Sequence, residues 1–365
     1  MKKLIAALLL IAAGTLPAAA QGWAAQHRAM VEAANQEGEL VLQSQPFQTA
    51  RDFLQREWPK AYPNIKLNMS ALPEPQFWAR LRTERGAGKF LWDMAVSGAS
   101  TGYTFSKEGA VDPLMPELVD PDVNKPEMWG GWDSAFMDLD KRYVLSVSSF
   151  IASPYYNAAH VSPTEVARDC IKAMLNPAYA GKIIWQEPTL PGGGRTLAQL
   201  IYAQLGEDGL RKLLVDQKAI LAQNQQQVVE AMARGTAWIG ILPSVRGLIG
   251  PYLQAGVKVD DLRTFGNTPE TGVQSVGGAT VYVFNKRPHP NATRLFLSWF
   301  LSREVQNGFA IATAQASRRA DVPHAGDPDA KPTPGAKYIT PQREENQEAQ
   351  DKVLALITEI KKTIK

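Results

Sequence analysis

Residues 39–96 contain three short runs of strand-like sequence: Glu39-Leu40-Val41-Leu42-Gln43, Ile65-Lys66-Leu67-Asn68-Met69 and Asp93-Met94-Ala95-Val96. Two segments of helical length separate them. Phe47 to Glu57 has the pattern of a helix, with Pro59 and Pro63 marking its exit. Gln76 to Arg85 places Phe77, Leu81 and the stem of Arg80 near one stripe. Strand, helix, strand, helix, strand at this spacing predicts an open parallel sheet with helices on both faces.

Upstream, Ala24 to Gln36 reads as a helix closed by Gly38. Before it, Lys2 and Lys3 precede an apolar run, Leu4 to Ala13, too short to span a bilayer. Gly14 and Pro17 break that run, and Ala18-Ala19-Ala20 offers small residues to a signal peptidase. Residues 1–20 are therefore expected to be a secretory signal peptide, and no later stretch has the length and apolarity of a membrane span.

Downstream, Tyr143 to Ile151 is rich in β-formers and reads as an extended crossing segment, after which the α/β pattern restarts. Helices are expected at Pro163–Leu175, Thr196–Leu205, Val228–Ala233 and Val245–Gln254, and strands at Lys182–Gln186 and Trp238–Leu242. A second extended stretch, Thr280–Phe284, leads into an apolar helix, Ala292–Leu301. Two crossings follow, near Ser149 and Gly277. They divide the chain into a first lobe (21–149), a second lobe (150–277) and a return to the first (278–320). Residues 321–365 hold an extended surface segment, rich in Pro, Gly and charge up to Pro341, and a terminal helix.

Composition narrows the function. The formal charge of +3 falls to +1 without Lys2 and Lys3, and no basic stripe with interleaved aromatics occurs, which argues against nucleic acid as a partner. The single cysteine, Cys170, cannot form an internal disulfide, so two ordinary-sized cores must hold the fold.

Several pieces, taken in order, resemble bacterial extracellular solute-binding protein family 1, in its ferric-iron-type subgroup of ABC transporter components. They are Glu37-Gly38-Glu39-Leu40-Val41, Tyr62-Pro63-Asn64-Ile65-Lys66, Tyr156-Asn157, Tyr179-Ala180-Gly181-Lys182-Ile183, His289-Pro290-Asn291-Ala292 with Phe296-Leu297-Ser298-Trp299, and Ser317-Arg318-Arg319. The resemblance implies a type II periplasmic-binding fold: two α/β lobes of open mixed sheets, a hinge of crossing strands and a ligand cleft between the lobes. It also implies a periplasmic location and delivery of a small solute to the membrane permease of an ABC importer.

Ligands of open α/β sheets bind beyond the carboxyl ends of strands. Four loops meet that condition. Ser44-Gln45 is the first. Ser97-Gly98-Ala99-Ser100 offers hydroxyls and backbone N–H groups, although Ser100 could equally act as a helix cap. In Gly192-Gly193-Gly194-Arg195-Thr196, glycines let amides approach a ligand, and Arg195 suits a carboxylate or phosphate. This loop lacks the Gly-Lys-Ser/Thr ending of a nucleotide P-loop. Pro243-Ser244-Val245-Arg246 is the fourth. In iron-binding members of the family, adjacent tyrosines follow the matching strand and ligate the ferric ion; here Ser244 and Arg246 stand in that neighbourhood, Tyr252 is alone, and Tyr155-Tyr156 lies elsewhere. The expected ligand is thus an anionic organic solute, with no metal and no cofactor.

An enzymatic reading has less support. His27, His160, His289 and His324 are scattered, no G-x-S-x-G elbow occurs, and Asp112, Asp133, Asp138 and Asp140 form no recognisable acid–base pair. The alternatives retained are a ferric-iron binder of the same family, a secreted α/β enzyme acting on a small anion, and a ligand sensor that docks onto a membrane receptor.

Overall fold

A computed structural model describes residues 18–44, 47–190, 193–242, 248–249, 252 and 261–364. Residues 1–17 of the expected signal peptide (1–20) and most of the Val245–Gln254 segment lie outside this set.

The chain runs α1 (Ala18–Glu37), β1 (Glu39–Ser44), α2 (Gln48–Ala61), β2 (Lys66–Ser70), α3 (Glu74–Gly86), β3 (Met94–Ser97), α4 (Ala99–Lys107), β4 (Val111–Asp112), α5 (Trp132–Ala135) and β5 (Leu145–Ser146). It continues through β6 (Phe150–Ala152), β7 (Tyr155–Asn157), α6 (Pro163–Asp169), β8 (Ile183–Gln186), α7 (Gly193–Arg211), β9 (Ile220–Ala222), α8 (Gln225–Ala233), β10 (Ile239–Ile241), β11 (Leu262–Thr264), β12 (Val273–Ser275) and β13 (Thr280–Phe284). Three further helices close it: α9 (Pro290–Phe300), α10 (Arg303–Thr313) and α11 (Gln347–Lys362).

The first sheet has the order β2-β1-β3-β13-β4, with β5 also paired to β13. Its β2-β1-β3 half is parallel, as the spacing of residues 39–96 predicts. β13 is antiparallel to β3, so the completed sheet is mixed. Alternation along the strands fills two cores. Met94, Val96, Val281 and Val283 face α2, α9 and α10, while Ala95, Tyr282 and Phe284 face α3 and α4. The second sheet has the order β11-β7-β10-β8-β9 and is again covered on both faces. Ile183, Trp185, Ile239 and Ile241 pack with α7 and α11, whereas Tyr155 and Ile184 pack with α8.

Local departures have physical causes. α2 runs through Pro59 to Ala61, because Trp58 is fully buried and its Nε1 donates to Ile65 O at 2.9 Å, holding the last turn. The helix expected up to Leu175 stops at Asp169; Cys170 has φ +51°, and a 3-10 segment follows. α7 takes in Gly193 and Gly194, expected as loop, and breaks at Gly206.

β6 pairs with β12, so the first-sheet strands β5 and β13 lead into one antiparallel ribbon between the sheets. The structure adds a third passage to the two crossings read from the sequence. Residues 316–318 run beside 147–149, with Ser149 N donating to Ala316 O and Arg318 N to Val147 O. The chain then reaches the second lobe, where Tyr155 Oη donates to Asp327 Oδ2 at 3.0 Å and α11 packs on α7.

Several pieces of the resemblance meet at one seam. Glu37 accepts from Asn291 N, Ala292 N and Asn291 Nδ2 at 3.1, 2.7 and 2.7 Å, so its carboxylate caps α9. Beside it, buried Asp93 accepts from Val41 N, His289 N and the His289 ring. Burial raises the Asp93 pKa, and these hydrogen bonds oppose that rise. Glu37→Ala removes the three bonds that tie α1 to α9 and should cost about 2 kcal/mol. A urea midpoint unchanged from the parent would show that packing alone holds the seam.

Candidate functional site

The carboxyl ends of β1 and β3 are neighbours, with Ser44 in register with Val96. Ser44 is fully buried, and its hydroxyl has no partner among the described residues. Ser97 is buried, and its carbonyl accepts from Thr280 Oγ1 at 2.8 Å. Gly98 opens α4, and Ser100 sits in the first turn. Glu74, at the start of α3, occupies the position that an external anion would take. Its Oε1 accepts from Ser100 Oγ and from Thr101 Oγ1, the latter at 3.1 Å. Trp78 Nε1 donates to Thr101 Oγ1 at 2.7 Å and fixes that hydroxyl. A side chain at Gly98 would place its Cβ 2.9 Å from Glu74 Oε1, so glycine lets the carboxylate approach.

In the second lobe, Gly193, Gly194 and Arg195 form the first turn of α7, beyond the carboxyl end of β8. Gly194 is there for packing. Its N–H donates to Gln186 Oε1 at 3.0 Å, its carbonyl accepts from Trp185 Nε1, and an added Cβ would lie 1.8 Å from Gln186 O. Arg195 Nη2 donates to Thr189 O at 3.1 Å, while its Nε is shielded from solvent and has no acceptor. The turn is braced from behind: Gln350 Nε2 of α11 donates to Arg195 O, and Gln342 Nε2 donates to Thr196 Oγ1 and Ser275 Oγ. Glu187, on the same loop, is buried; burial raises its pKa, but hydrogen bonds from Lys361 and Thr189 outweigh this and hold it low.

Tyr103 of α4 is buried in the first lobe. Burial raises the pKa of this hydroxyl; the negative charges of Glu74, Glu344 and Asp351 push it further, and Arg195 opposes them. Lys107, at the end of α4, pairs with Glu344 at 2.5 Å, and Glu344 Oε2 also accepts from Leu139 N. The 342–344 segment thus bridges α4 to the start of α7. Gln45, Ser244 and Arg246 lie outside the described residues.

This arrangement is two α/β lobes joined by a strand ribbon, with a strand-end turn at the start of a helix in each. Residues 49–337 match the sequence profile of the bacterial extracellular solute-binding proteins. The chain belongs to this family. Solved structures of solute-binding proteins share its fold. Iron-bound HitA from Pseudomonas aeruginosa is 14% identical, with a TM-score of 0.65 over 88% of this chain and 99% of that one. FutA (IdiA) from Trichodesmium, in complex with iron and citrate, is 17% identical, with a TM-score of 0.65 over 88% and 99%. AfuA from Actinobacillus pleuropneumoniae, with fructose-6-phosphate bound, is 16% identical, with a TM-score of 0.59 over 88% and 97%. No curated protein sequence matches the chain. Among the described residues, no helix is long and apolar enough to cross a membrane.

Other aromatic and titratable residues have structural work within this solute-binding fold. Trp92 and Trp129 are buried in the first-lobe core, and Trp132 packs on Phe136. Tyr155 and Tyr156 are buried in β7, and Tyr252 Oη accepts from Gln226. Asp138 accepts three backbone N–H groups of a turn, Asp112 pairs with Arg287, and His160 stacks on Trp238. Glu74 and Tyr103 escaped the sequence reading, although Glu74 follows β2 and so meets the strand-end rule that selected Ser44 and Ser97. Gly194→Ala should destabilise the protein by about 3 kcal/mol, because backbone cannot yield to the added methyl. An unchanged urea midpoint would mean that the turn is open and free to meet a ligand.

Proposed function

We propose that the protein is the periplasmic receptor of an ABC importer, exported by its leader and capturing a small anionic organic solute between its lobes. The lobe limits fall where the strands change sheet, near Ser149 and Gly277. The ligand contacts turns of both lobes, and only its greater affinity for the closed arrangement drives closure. The permease then takes up the solute from the closed form, and the receptor performs no chemistry on it.

The observation that carries this reading is Arg195. It stands at the strand-end turn after β8, and among the described residues it has no carboxylate partner and its Nε has no acceptor. A cation in the first turn of a helix gains nothing from the helix dipole, so a ligand is the better account of its placement. With Gly194 N committed to Gln186, the anion is held by the arginine fork and the neighbouring turn, with Ser44, Ser97, Gly98 and Ser100 lining the opposite side. An organic anion is favoured over a ferric ion because the adjacent tyrosines Tyr155 and Tyr156 lie in the core, and the Tyr155 hydroxyl is already bonded to Asp327.

Calorimetry with citrate and inorganic phosphate tests the anion site. Arg195→Ala should weaken binding by about tenfold to a hundredfold, the value of one charge-assisted hydrogen bond. Arg195→Lys should restore only part of it, since a point charge cannot reproduce a planar fork. Unchanged affinity in Arg195→Ala would remove the arginine from the site. Titration with ferric citrate should give no tyrosinate-to-iron band; a strong band at one iron per chain would establish the ferric reading instead.

A further inference from the structure

Glu74 and Arg195 are opposite charges on different lobes, and among the described residues neither forms an ion pair. Glu74 Oε1 accepts from two hydroxyls, and Arg195 Nη2 donates to a carbonyl. Glu74 holds the first turn of α4, Arg195 stands in the first turn of α7, and the bridge from Lys107 through Glu344 and Gln342 to Thr196 ties α4 to the start of α7. Half-buried charges without partners are costly, and a partner that supplies the missing contacts recovers that cost.

The surroundings also discriminate. A solute carrying only negative charge would be attracted by Arg195 but repelled by Glu74. Ser100 and Thr101, which would otherwise offer hydroxyls to an anion, already donate to Glu74. On the first-lobe side, the cleft therefore presents an acceptor where a bare α4 terminus would present donors.

We propose that the cleft selects a bipolar solute: an anionic group held by Arg195, and an ammonium or hydroxyl donor held by Glu74. Glu74 is then the residue that sets specificity, by rewarding a donor and rejecting a second anionic end. This rests on the reading that the ligand sits between the lobes with its anion on Arg195.

Matched probes separate the two ends: phosphoethanolamine against ethyl phosphate, and glycerol 3-phosphate against propyl phosphate. Each pair shares its phosphate and differs in the ammonium or hydroxyl donors. By calorimetry, at least one donor-bearing probe should bind about tenfold more tightly than its partner, the value of one charge-assisted contact. Whichever pair shows the gap identifies the donor. Glu74→Gln should shrink the gap severalfold and strengthen the plain alkyl phosphates, and Glu74→Asp, with the charge kept on a shorter arm, should lie between. Circular dichroism confirms that each variant is folded. Arg195→Ala should weaken all four probes alike. Should Arg195→Ala change nothing while Glu74→Gln closes the gap, the anion reading fails and the donor end stands. Equal affinities within both pairs, including no binding by any probe, or a gap that survives Glu74→Gln, overturn the proposal.

Discussion

The pairing of Thr280–Phe284 with Met94–Ser97 is the constraint on which the rest of the molecule depends. Without β13, the first sheet ends at β3, with the outer edge of Met94, Ala95 and Val96 unpaired. With it, Val281, Tyr282, Val283 and Phe284 are all fully buried and both cores of the first lobe close. The chain between β5 and β13 must then leave and return at one edge, which forces the antiparallel ribbon of β6 and β12. The same geometry delivers α9 to Glu37, so residues about as far apart in sequence as the fold allows share one helix cap.

A second consequence concerns the cleft. The strand-end turn of the second lobe is held from behind by the last part of the chain, through Gln342, Gln350 and Lys361. Arg195 therefore sits on a braced support rather than on a free loop, and a ligand that met it there would incur less ordering cost. The third passage of the chain also touches both lobes, through Glu344 on one side and Gln342 on the other. Rotation of the lobes has to bend this segment together with the ribbon.

Much of the fold was legible in the sequence because apolar alternation and turn residues reflect burial directly. The parallel strands and the helices that cover them follow from that pattern. Less was legible where tertiary packing overrides local preference: Pro59 inside α2, the break at Cys170 and the antiparallel entry of β13. The third passage escaped because Pro, Gly and charge mark residues 321–341 only as extended, and say nothing of what they touch. At the site, Arg195 was visible as a cation after a glycine-rich turn. The role of Gly194 was not, because a glycine that meets a ligand and one that meets a neighbouring carbonyl look identical in sequence. Glu74 was hidden for a related reason: that its carboxylate reaches Ser100 and Thr101 depends on how α3 packs against α4.

The solved relatives bind iron, iron with citrate, and a sugar phosphate on one fold, so the fold leaves the ligand open and the side chains of the cleft must decide it. The most direct measurement is mass spectrometry of the small molecules released when the protein, purified from cells that secrete it, is unfolded. The account predicts one unmodified organic solute per chain, with an anionic group at one end and ammonium or hydroxyl groups at the other. A stoichiometric ferric ion, or a solute with only anionic groups, would contradict it.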